Sequence, residues 1–197
     1  SSGFRINHAG DDAAGLTISE SLIGQIRGTQ QAVRNANDGV SILQIAEGAL
    51  TVIGDTLQRV RELTIQAAND TNSTTQRNAI EQEIQTRLND LDRIAQATAF
   101  NGINLLDGSA AGALLQIGAN STLATNTLDI TTALADAQTA AIGIVGGAAT
   151  FANVAAIDIT SSAVARSFLD DVDTAIGAVT AQRSTIGALQ NQLESVD

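Results

Sequence analysis

Apolar residues recur at seven-residue intervals through much of the first half of the sequence, and no proline interrupts them. Two series interleave: one is Ala36, Leu43, Leu50 and Leu57, and the other is Ala46, Ile53, Val60 and Ala67. Their alternating spacing of three and four residues is typical of a coiled-coil seam, because it returns apolar side chains to one helix face. Since proline breaks helix interiors, its absence permits one helix from about residue 11 to residue 69.

The same periodicity predicts two further helices. The segment NDTNSTT at 69–75 is rich in turn-forming residues and supplies Ser and Thr side chains that can cap a second helix. That helix is predicted to run to about residue 99, and its apolar face consists of Ile80, Ile84, Leu88, Leu91 and Ala95. A third helix is predicted from about residue 163, with one series at Val172, Val179, Ile186 and Leu193 and a second at Phe168, Ala175, Gln182, Leu189 and Val196.

None of these helices can bury its apolar stripe alone. We therefore predict a mainly α fold, an elongated antiparallel helical bundle or coiled-coil rod in which the last helix returns along the first two. The segment FNGINLLDGS at 100–109 ends the second helix with two turn signals, Asn-Gly and Asp-Gly.

The composition changes after this point, since residues 109–163 contain no Arg and are rich in Ala, Thr and Gly. We predict a small β-containing or irregular insertion in which LLQIG pairs with TLDIT as a hairpin. The predicted organisation is residues 1–108 as the N-terminal part of a helical rod domain, 109–163 as the insertion, and 164–197 as the helix that completes the rod. The insertion is expected at the far end of the rod.

The charge of the chain argues against several partners. The formal net charge is −11, and all ten cations are Arg residues scattered along the sequence. Such a chain is repelled by nucleic acid and by anionic membranes. The longest apolar run, near residues 140–149, is far below the roughly 18 residues that a membrane span needs. We therefore expect no nucleic-acid partner and no membrane insertion.

Few residues could support catalysis or metal binding. There is no Cys, so disulfides and thiolate metal sites are excluded. The only histidine is His8, which excludes a two-histidine zinc site and argues strongly against a Ser–His–Asp triad. The acidic cluster at 170–173 lacks the spacing of an EF-hand loop and is explained by its position near a helix start. We expect no enzymatic activity and no cofactor.

Five segments resemble stretches of bacterial flagellin, in the order and spacing of that family. They are SSGFRINHAGDDAAGL, RNANDGVSILQIAEGAL, LQRVRELTIQAAND, FNGINLLDG and AQRSTIGALQNQLES. The resemblance covers roughly residues 1–108 and 166–197, while the middle, which is hypervariable in flagellins, does not match. One departure is NHAGDD, where many flagellins place a Lys before the acidic pair. The chain begins and ends within its helical pattern, so we expect a fragment that lacks both terminal helical segments.

The resemblance implies a structural subunit of the flagellar filament that lies outside the cell and polymerises with other flagellin subunits for motility. An export chaperone and, in flagellins that animals detect, a Toll-like receptor are the further partners it implies. A flagellin-like hook–filament junction protein is one alternative. A cell-surface adhesin or glycan-binding protein is another, although the insertion that would carry its determinants has one aromatic residue, Phe151, and no Arg.

The segment LQRVREL at 57–63 is the candidate partner-binding surface. On a helical wheel Leu57 and Val60 lie in the seam and Arg59 lies opposite, while Leu63 lies near the boundary. We interpret Leu63 as an exposed apolar side chain that a neighbouring subunit covers, the alternative being a third helix of the same bundle. By the resemblance, Arg59, Leu63 and Glu83 match the receptor-contacting residues of flagellins. Arg59 is also expected to pair with Asp55, one turn earlier.

Overall fold

The computed structural model of the chain describes residues 13–110, 112–144 and 152–195. Its elements in chain order are α1 (Ala13–Ala67), α2 (Thr74–Ala97), β1 (Ala99–Phe100), β2 (Ile103–Asn104), β3 (Leu114–Gln116), α3 (Leu123–Asn126), β4 (Thr127–Asp129), a 3-10 helix (Val154–Ala156) and α4 (Ser162–Glu194). Helices α2 and α4 both run antiparallel to α1 and pack against it. The predicted class, a mainly α rod with small β elements, is confirmed.

The turn between α1 and α2 is fixed by capping. Ser73 and Gln76 form a capping box, in which the Gln76 N–H donates to Ser73 Oγ (3.3 Å) and the Ser73 N–H donates to Gln76 Oε1 (2.8 Å). The Arg77 guanidinium donates to the carbonyl oxygens of Ala67 and Asn69 at 3.1 Å each, which satisfies acceptors at the end of α1. The polar segment 69–75 therefore reverses the chain, as its composition predicts.

The seam predicted from the heptads is the centre of the core. Leu43, Leu50 and Leu57 of α1 are fully buried, and so is Val172 of α4. Gln182, the one polar member of its series, is also buried, and its amide donates to the carbonyl oxygens of Ala133 (3.1 Å) and Ala135 (2.9 Å). Leu189 is only partly buried, because it lies on the border of the seam towards the end of α4.

Two short hairpins follow α2. In the first, β1 pairs with β2 around Asn101 and Gly102, whose φ angles of 49° and 80° belong to the Asn-Gly turn seen in the sequence. The sequence analysis identified this turn but missed the two flanking strands, which have only two residues each. In the second, β3 pairs antiparallel with β4, with Leu115 opposite Leu128. This confirms the predicted pairing of LLQIG with TLDIT.

The middle segment lies along the bundle, so its expected place at the far end of the rod is wrong. The Thr139 N–H donates to Asp92 Oδ1 of α2 at 2.7 Å, and the Ile159 N–H donates to Glu81 Oε2 at 2.9 Å. Its buried apolar residues join the same core cluster as the helices: Ala110, Leu128, Ile130, Ala133, Leu134, Ala137, Ile142, Ile144, Val154, Ile157 and Ile159. These residues can be removed from water only by packing on the helices. The domain limits 1–108, 109–163 and 164–197 stay a prediction.

Four predicted features lie outside the described residues: His8, Phe151, Val196 and most of the run at 140–149. By length and composition alone α1 could cross a membrane, but a core helix of a soluble protein meets the same criterion. The expectation that the chain does not enter membranes therefore stays a prediction.

Two glycines one turn apart on α1 provide a test of how the second hairpin is docked. A Cβ added at Gly28 would lie 2.9 Å from Ala119 Cβ and 3.3 Å from Ala119 Cα, whereas one at Gly24 meets nothing within 4 Å. In native-state hydrogen exchange, Gly24→Ala should slow exchange of nearby α1 amides, because Ala exceeds Gly in helix propensity by about 1 kcal/mol. Gly28→Ala should accelerate exchange in β3 and β4. Equal effects of the two variants on the hairpin would contradict this docking.

Three turn carboxylates should make stability depend on pH. Asp107, Asp129 and Asp158 each accept hydrogen bonds from the side-chain hydroxyl and the backbone N–H of the residue two positions later, and these lower the pKa of each below the ordinary 3.8. A carboxylate whose pKa is lower in the folded state than in the unfolded state stabilises the fold at pH values above its unfolded-state pKa. This stabilisation is lost as the pH falls through the folded-state pKa. Urea unfolding should therefore show stability declining below pH 3.8, less steeply in Asp158→Asn. A pH dependence that Asp158→Asn leaves unchanged would contradict this assignment.

Candidate functional site

The candidate site is a cluster of charges where α2 packs beside α1. Arg59 Nη1 lies 3.0 Å from Glu62 Oε2, and its Nη2 lies 3.3 Å from Glu83 Oε1 of α2. Arg87 Nη2 lies 3.6 Å from the same Glu83 oxygen. The structure thus brings together two of the three predicted site residues, Arg59 and Glu83, and adds Glu62 and Arg87.

The cluster is exposed and its charges balance. Hydrogen bonds to Glu62 and then to Glu83 raise the pKa of Arg59 above its ordinary value, so Arg59 stays charged. The two Arg and two Glu side chains of the cluster cancel one another on a chain of net charge −11, and the exposed Asp55, one turn before Arg59, adds one negative charge beside them. Arg59 pairs with Glu62 and Glu83 and not with Asp55, so the predicted Arg59–Asp55 pair is wrong. Arg59 instead reaches towards the end of α1 to Glu62 and across to Glu83 of α2, and only the second of these pairs depends on a neighbouring helix.

Leu63 does not belong to the exposed surface. Its side chain is 2% exposed and lies in the core cluster, which contradicts the interpretation of Leu63 as an apolar residue open to a neighbour. The alternative, a further helix of the same bundle, is correct: α2 packs on the side of α1 that carries Arg59 and Leu63. Thr64, the next residue, is also buried, and its hydroxyl donates to the Val60 carbonyl at 2.8 Å. A side chain this buried cannot contact a partner directly, so any effect of Leu63 on a partner would be indirect.

Other apolar side chains occupy the exposed face instead. Ile45 and Val52 are 42% and 50% exposed, and they precede Arg59 by fourteen and seven residues. Residues seven apart share a helix face, so the three form one row. Between Ile45 and Val52 lies Gly48, where an added Cβ would meet nothing within 4 Å. The sequence analysis missed this row, although its heptad spacing from Arg59 is visible in the sequence. We call Ile45, Val52, Arg59, Glu62, Glu83 and Arg87 the Arg59 patch.

The chemistry of the Arg59 patch is that of recognition. It offers carboxylate acceptors, guanidinium donors and two branched apolar side chains, and it contains no hydroxyl, thiol or imidazole that could act as a nucleophile. Within residues 13–110, 112–144 and 152–195 no group of three His, Cys, Asp or Glu side chains is placed to hold a metal ion. The patch can therefore bind a surface with matching charges and apolar contacts.

Comparison with known sequences identifies one family. The model described as the bacterial flagellin N-terminal helical region matches residues 1–111. The flagellin of Halalkalibacterium halodurans is 44% identical over 194 residues, which is 98% of this chain and 66% of that protein. The flagellin of Bacillus subtilis is 41% identical over 218 residues, with 98% of this chain and 70% of that protein covered. Flagellin B of Vibrio anguillarum is 52% identical over 121 residues, but the match covers only 32% of its length.

Solved structures show the same fold. The crystal structure of Bacillus cereus flagellin superposes with a TM-score of 0.66 at 28% identity, covering 82% of this chain and 85% of that one. The structure of FliC from Burkholderia pseudomallei superposes with a TM-score of 0.60 at 21% identity, covering 78% of this chain and 99% of that one. At that lower identity the second likeness concerns the fold alone.

Arg59 and Leu63 lie one helical turn apart, and substitutions at the two positions distinguish a role in recognition from a role in folding. Leu63→Ala removes a buried side chain and should cost about 2–5 kcal/mol. For a chain of this size the melting temperature should then fall by roughly 5–15 °C. Arg59→Ala removes only exposed ion pairs, whose charges water screens, so its melting temperature should stay within about 2 °C of the parent. Thermal melts followed by circular dichroism measure both values, and a larger loss for Arg59→Ala than for Leu63→Ala would make the patch structural.

Proposed function

The chain belongs to the flagellin family, whose members are structural proteins of the bacterial flagellar filament and not enzymes, and we propose that it contributes the rod of such a subunit. In this role it lies outside the cell and polymerises with other flagellin subunits for motility. The family match over residues 1–111, together with the continuous α1 core, carries the proposal. The chain spans about two thirds of the length of the Halalkalibacterium halodurans and Bacillus subtilis flagellins, and about a third of Vibrio anguillarum flagellin B. The activity of the whole protein is therefore inferred from the shared part.

The Arg59 patch is the surface that we assign to a neighbouring subunit. Copies of a chain with net charge −11 repel one another, so contact is least unfavourable where local charges cancel. The patch comes close to this condition, because its two Arg and two Glu side chains cancel and only Asp55, one turn before Arg59, adds a further charge. It also places Ile45 and Val52 in water, where a neighbour could bury them. The ion pair between Arg59 and Glu83 already orients both side chains in the absence of a partner.

The Toll-like receptor that senses flagellin is a second proposed partner of the same patch. Arg59 and Glu83 match receptor-contacting positions of the family, and both side chains are accessible, at 48% and 39% exposure. Leu63 lies beneath them and would act through the position of Arg59 rather than by contact. An export chaperone is a further partner that we propose on family membership alone.

A glycan-binding or adhesin role has less support. Its determinants would lie in the middle segment, but residues 109–163 contain no Arg and a single aromatic residue. In the described part of that segment, Ile130, Leu134 and Ile144 are buried in the core of the rod, so these side chains are not available to a ligand.

Charge reversal within the patch tests the proposed subunit contact. Arg59→Glu places three carboxylates together and should weaken self-association, because like charges at a contact oppose it. Arg93→Glu is the matched control: it makes the same change in net charge on α2, where Arg93 pairs with Asp90 at 3.0 Å. Assembly is induced with ammonium sulfate, which strengthens apolar burial, and is followed by light scattering and electron microscopy. Equal assembly by the two variants, under conditions in which the parent chain assembles, would remove the patch from the contact.

The same two variants test the receptor proposal separately. Binding of the purified receptor ectodomain to the immobilised chain should weaken strongly for Arg59→Glu and little for Arg93→Glu. Glu83→Arg should also weaken it, since Glu83 is the second proposed contact. Unchanged binding by both patch variants would show that the receptor, if it binds, uses another surface.

A further inference from the structure

A four-residue pattern occurs twice in the middle segment. It reads LDIT at 128–131 and IDIT at 157–160. In both copies the two apolar side chains are buried and the Asp between them is exposed. Extended chains alternate in this way, because successive side chains point to opposite faces. The alternation indicates that each copy lies in extended form against a neighbouring surface.

The first copy docks on a β-strand. Its first two residues belong to β4, which pairs with β3, and the Ile130 N–H donates to the Ala113 carbonyl oxygen at 3.1 Å. Next to this bond the Thr131 N–H donates to Asp129 Oδ1 at 2.8 Å, and such a bond from the second residue on is the mark of an Asx turn. In this copy the pattern therefore adds a strand to a sheet edge and then turns away.

The second copy docks on a helix instead. Ile159, which corresponds to Ile130, donates its N–H to Glu81 Oε2 of α2 at 2.9 Å. The Thr160 N–H donates to Asp158 Oδ1 at 3.0 Å, so the turn of the first copy is repeated. A carboxylate on a helix thus takes the place that a strand carbonyl oxygen holds in the first copy.

A second side chain of α2 completes the site. Gln85 Nε2 donates to the Ile157 carbonyl oxygen at 3.0 Å, and the same nitrogen lies 3.4 Å from Glu81 Oε1. Together the two side chains offer a donor to the carbonyl group of residue 157 and an acceptor to the N–H of residue 159. One residue of a parallel β-strand offers the same two groups to positions two apart on its neighbour. We call Glu81 and Gln85 the α2 docking pair.

The buried side chains of the second copy determine which segments the site fits. Ile157 and Ile159 are 2% and 0% exposed, while Asp158 between them faces solvent. When a peptide is added to a sheet edge, main-chain hydrogen bonds hold it and pockets accept its alternate side chains. The site on α2 has both features. It therefore fits an extended segment with apolar residues at alternate positions.

We propose that the α2 docking pair is a binding site for an extended segment of this alternating pattern, which the chain fills with its own residues 157–160. Its effect is to fix where α4 begins. Ser161 follows the docked segment directly and caps α4, since its Oγ accepts a hydrogen bond from the Val164 N–H at 3.2 Å. The middle segment before residue 157 can then differ in sequence without moving α4. The site acts within one copy of the chain, so it does not depend on the proposed filament role.

Hydrogen exchange followed by NMR tests the site in the complete chain. Gln85→Glu removes the donor to the Ile157 carbonyl group and places a second carboxylate one turn from Glu81, so the segment should be released. Exchange of the Ile159 amide should accelerate about tenfold or more, and exchange in the first turn of α4 should accelerate with it. The amide of Leu22, near the other end of the rod, should keep its parent rate.

Three further variants are expected to keep the segment docked. Gln82→Glu is the matched control, because it makes the same replacement at an exposed position of α2. Glu81→Gln retains an oxygen that can accept from the Ile159 N–H. Ile157→Leu makes the second copy identical in sequence to the first and conserves the volume of the buried side chain. All three should leave the Ile159 exchange rate within a few-fold of the parent.

Each outcome decides a separate part of the proposal. Equal Ile159 exchange in Gln85→Glu and Gln82→Glu would show that the pair does not hold the segment. Faster exchange of Ile159 with parent rates in the first turn of α4 would leave the docking site and overturn its role in positioning α4. If circular dichroism shows that Gln85→Glu does not fold, Gln85→Leu removes the donor without adding a charge and is compared with Gln82→Leu. None of these measurements involves assembly, so their failure would leave the filament role standing.

Discussion

The apolar seam of α1 is the element on which the rest of the structure depends. It extends from Ala36 to Ala67, and its residues are almost completely removed from water. A helix in a two-stranded coil would bury only a narrow stripe. Here α2 packs on the flank that carries Arg59, and α4 packs on the flank that carries Arg61, whose Nε lies 2.6 Å from Asp173. Two partners widen the buried stripe, and this is why Leu63 belongs to the core.

Polar groups inside the core fix the register of the parts around this seam. An apolar seam alone would allow helices to slide by a heptad, because each step presents similar side chains. The buried Gln182 amide has its donors satisfied only where the carbonyls of Ala133 and Ala135 lie beside it. The Asp92 carboxylate likewise accepts hydrogen bonds from the backbone N–H and the hydroxyl of Thr139. Removing such a partner would leave a buried polar group without a hydrogen bond, so each wrong register is penalised.

Local sequence signals predicted the fold to different extents. Periodicity predicted the three long helices, and the turn-forming segment at 69–75 predicted the reversal, because both depend on residues close together in sequence. The pairing of β3 with β4 was predictable for the same reason. The course of the middle segment was not, since it depends on contacts such as Gln182 with Ala133, 49 positions apart. Leu63 was misjudged because a wheel drawn for one helix does not show where a third helix packs. At the candidate site the sequence correctly predicted that Arg59 and Glu83 lie on the surface. It did not predict that Ile45 and Val52 are exposed beside them.

Folding and association make opposite demands on an acidic rod, and α1 meets them on different faces. Its buried face is aliphatic and uncharged, so folding does not require any of the ten Arg residues to be buried there. Its outer face carries Arg27, Arg34 and Arg59, which are among the few cations that can offset repulsion between copies of charge −11. Charges more than about 8 Å apart are largely screened at physiological ionic strength, so the net charge matters less than the residues that touch. The pairing of two Arg with two Glu side chains in the Arg59 patch therefore reduces the repulsion expected where the proposed contact forms.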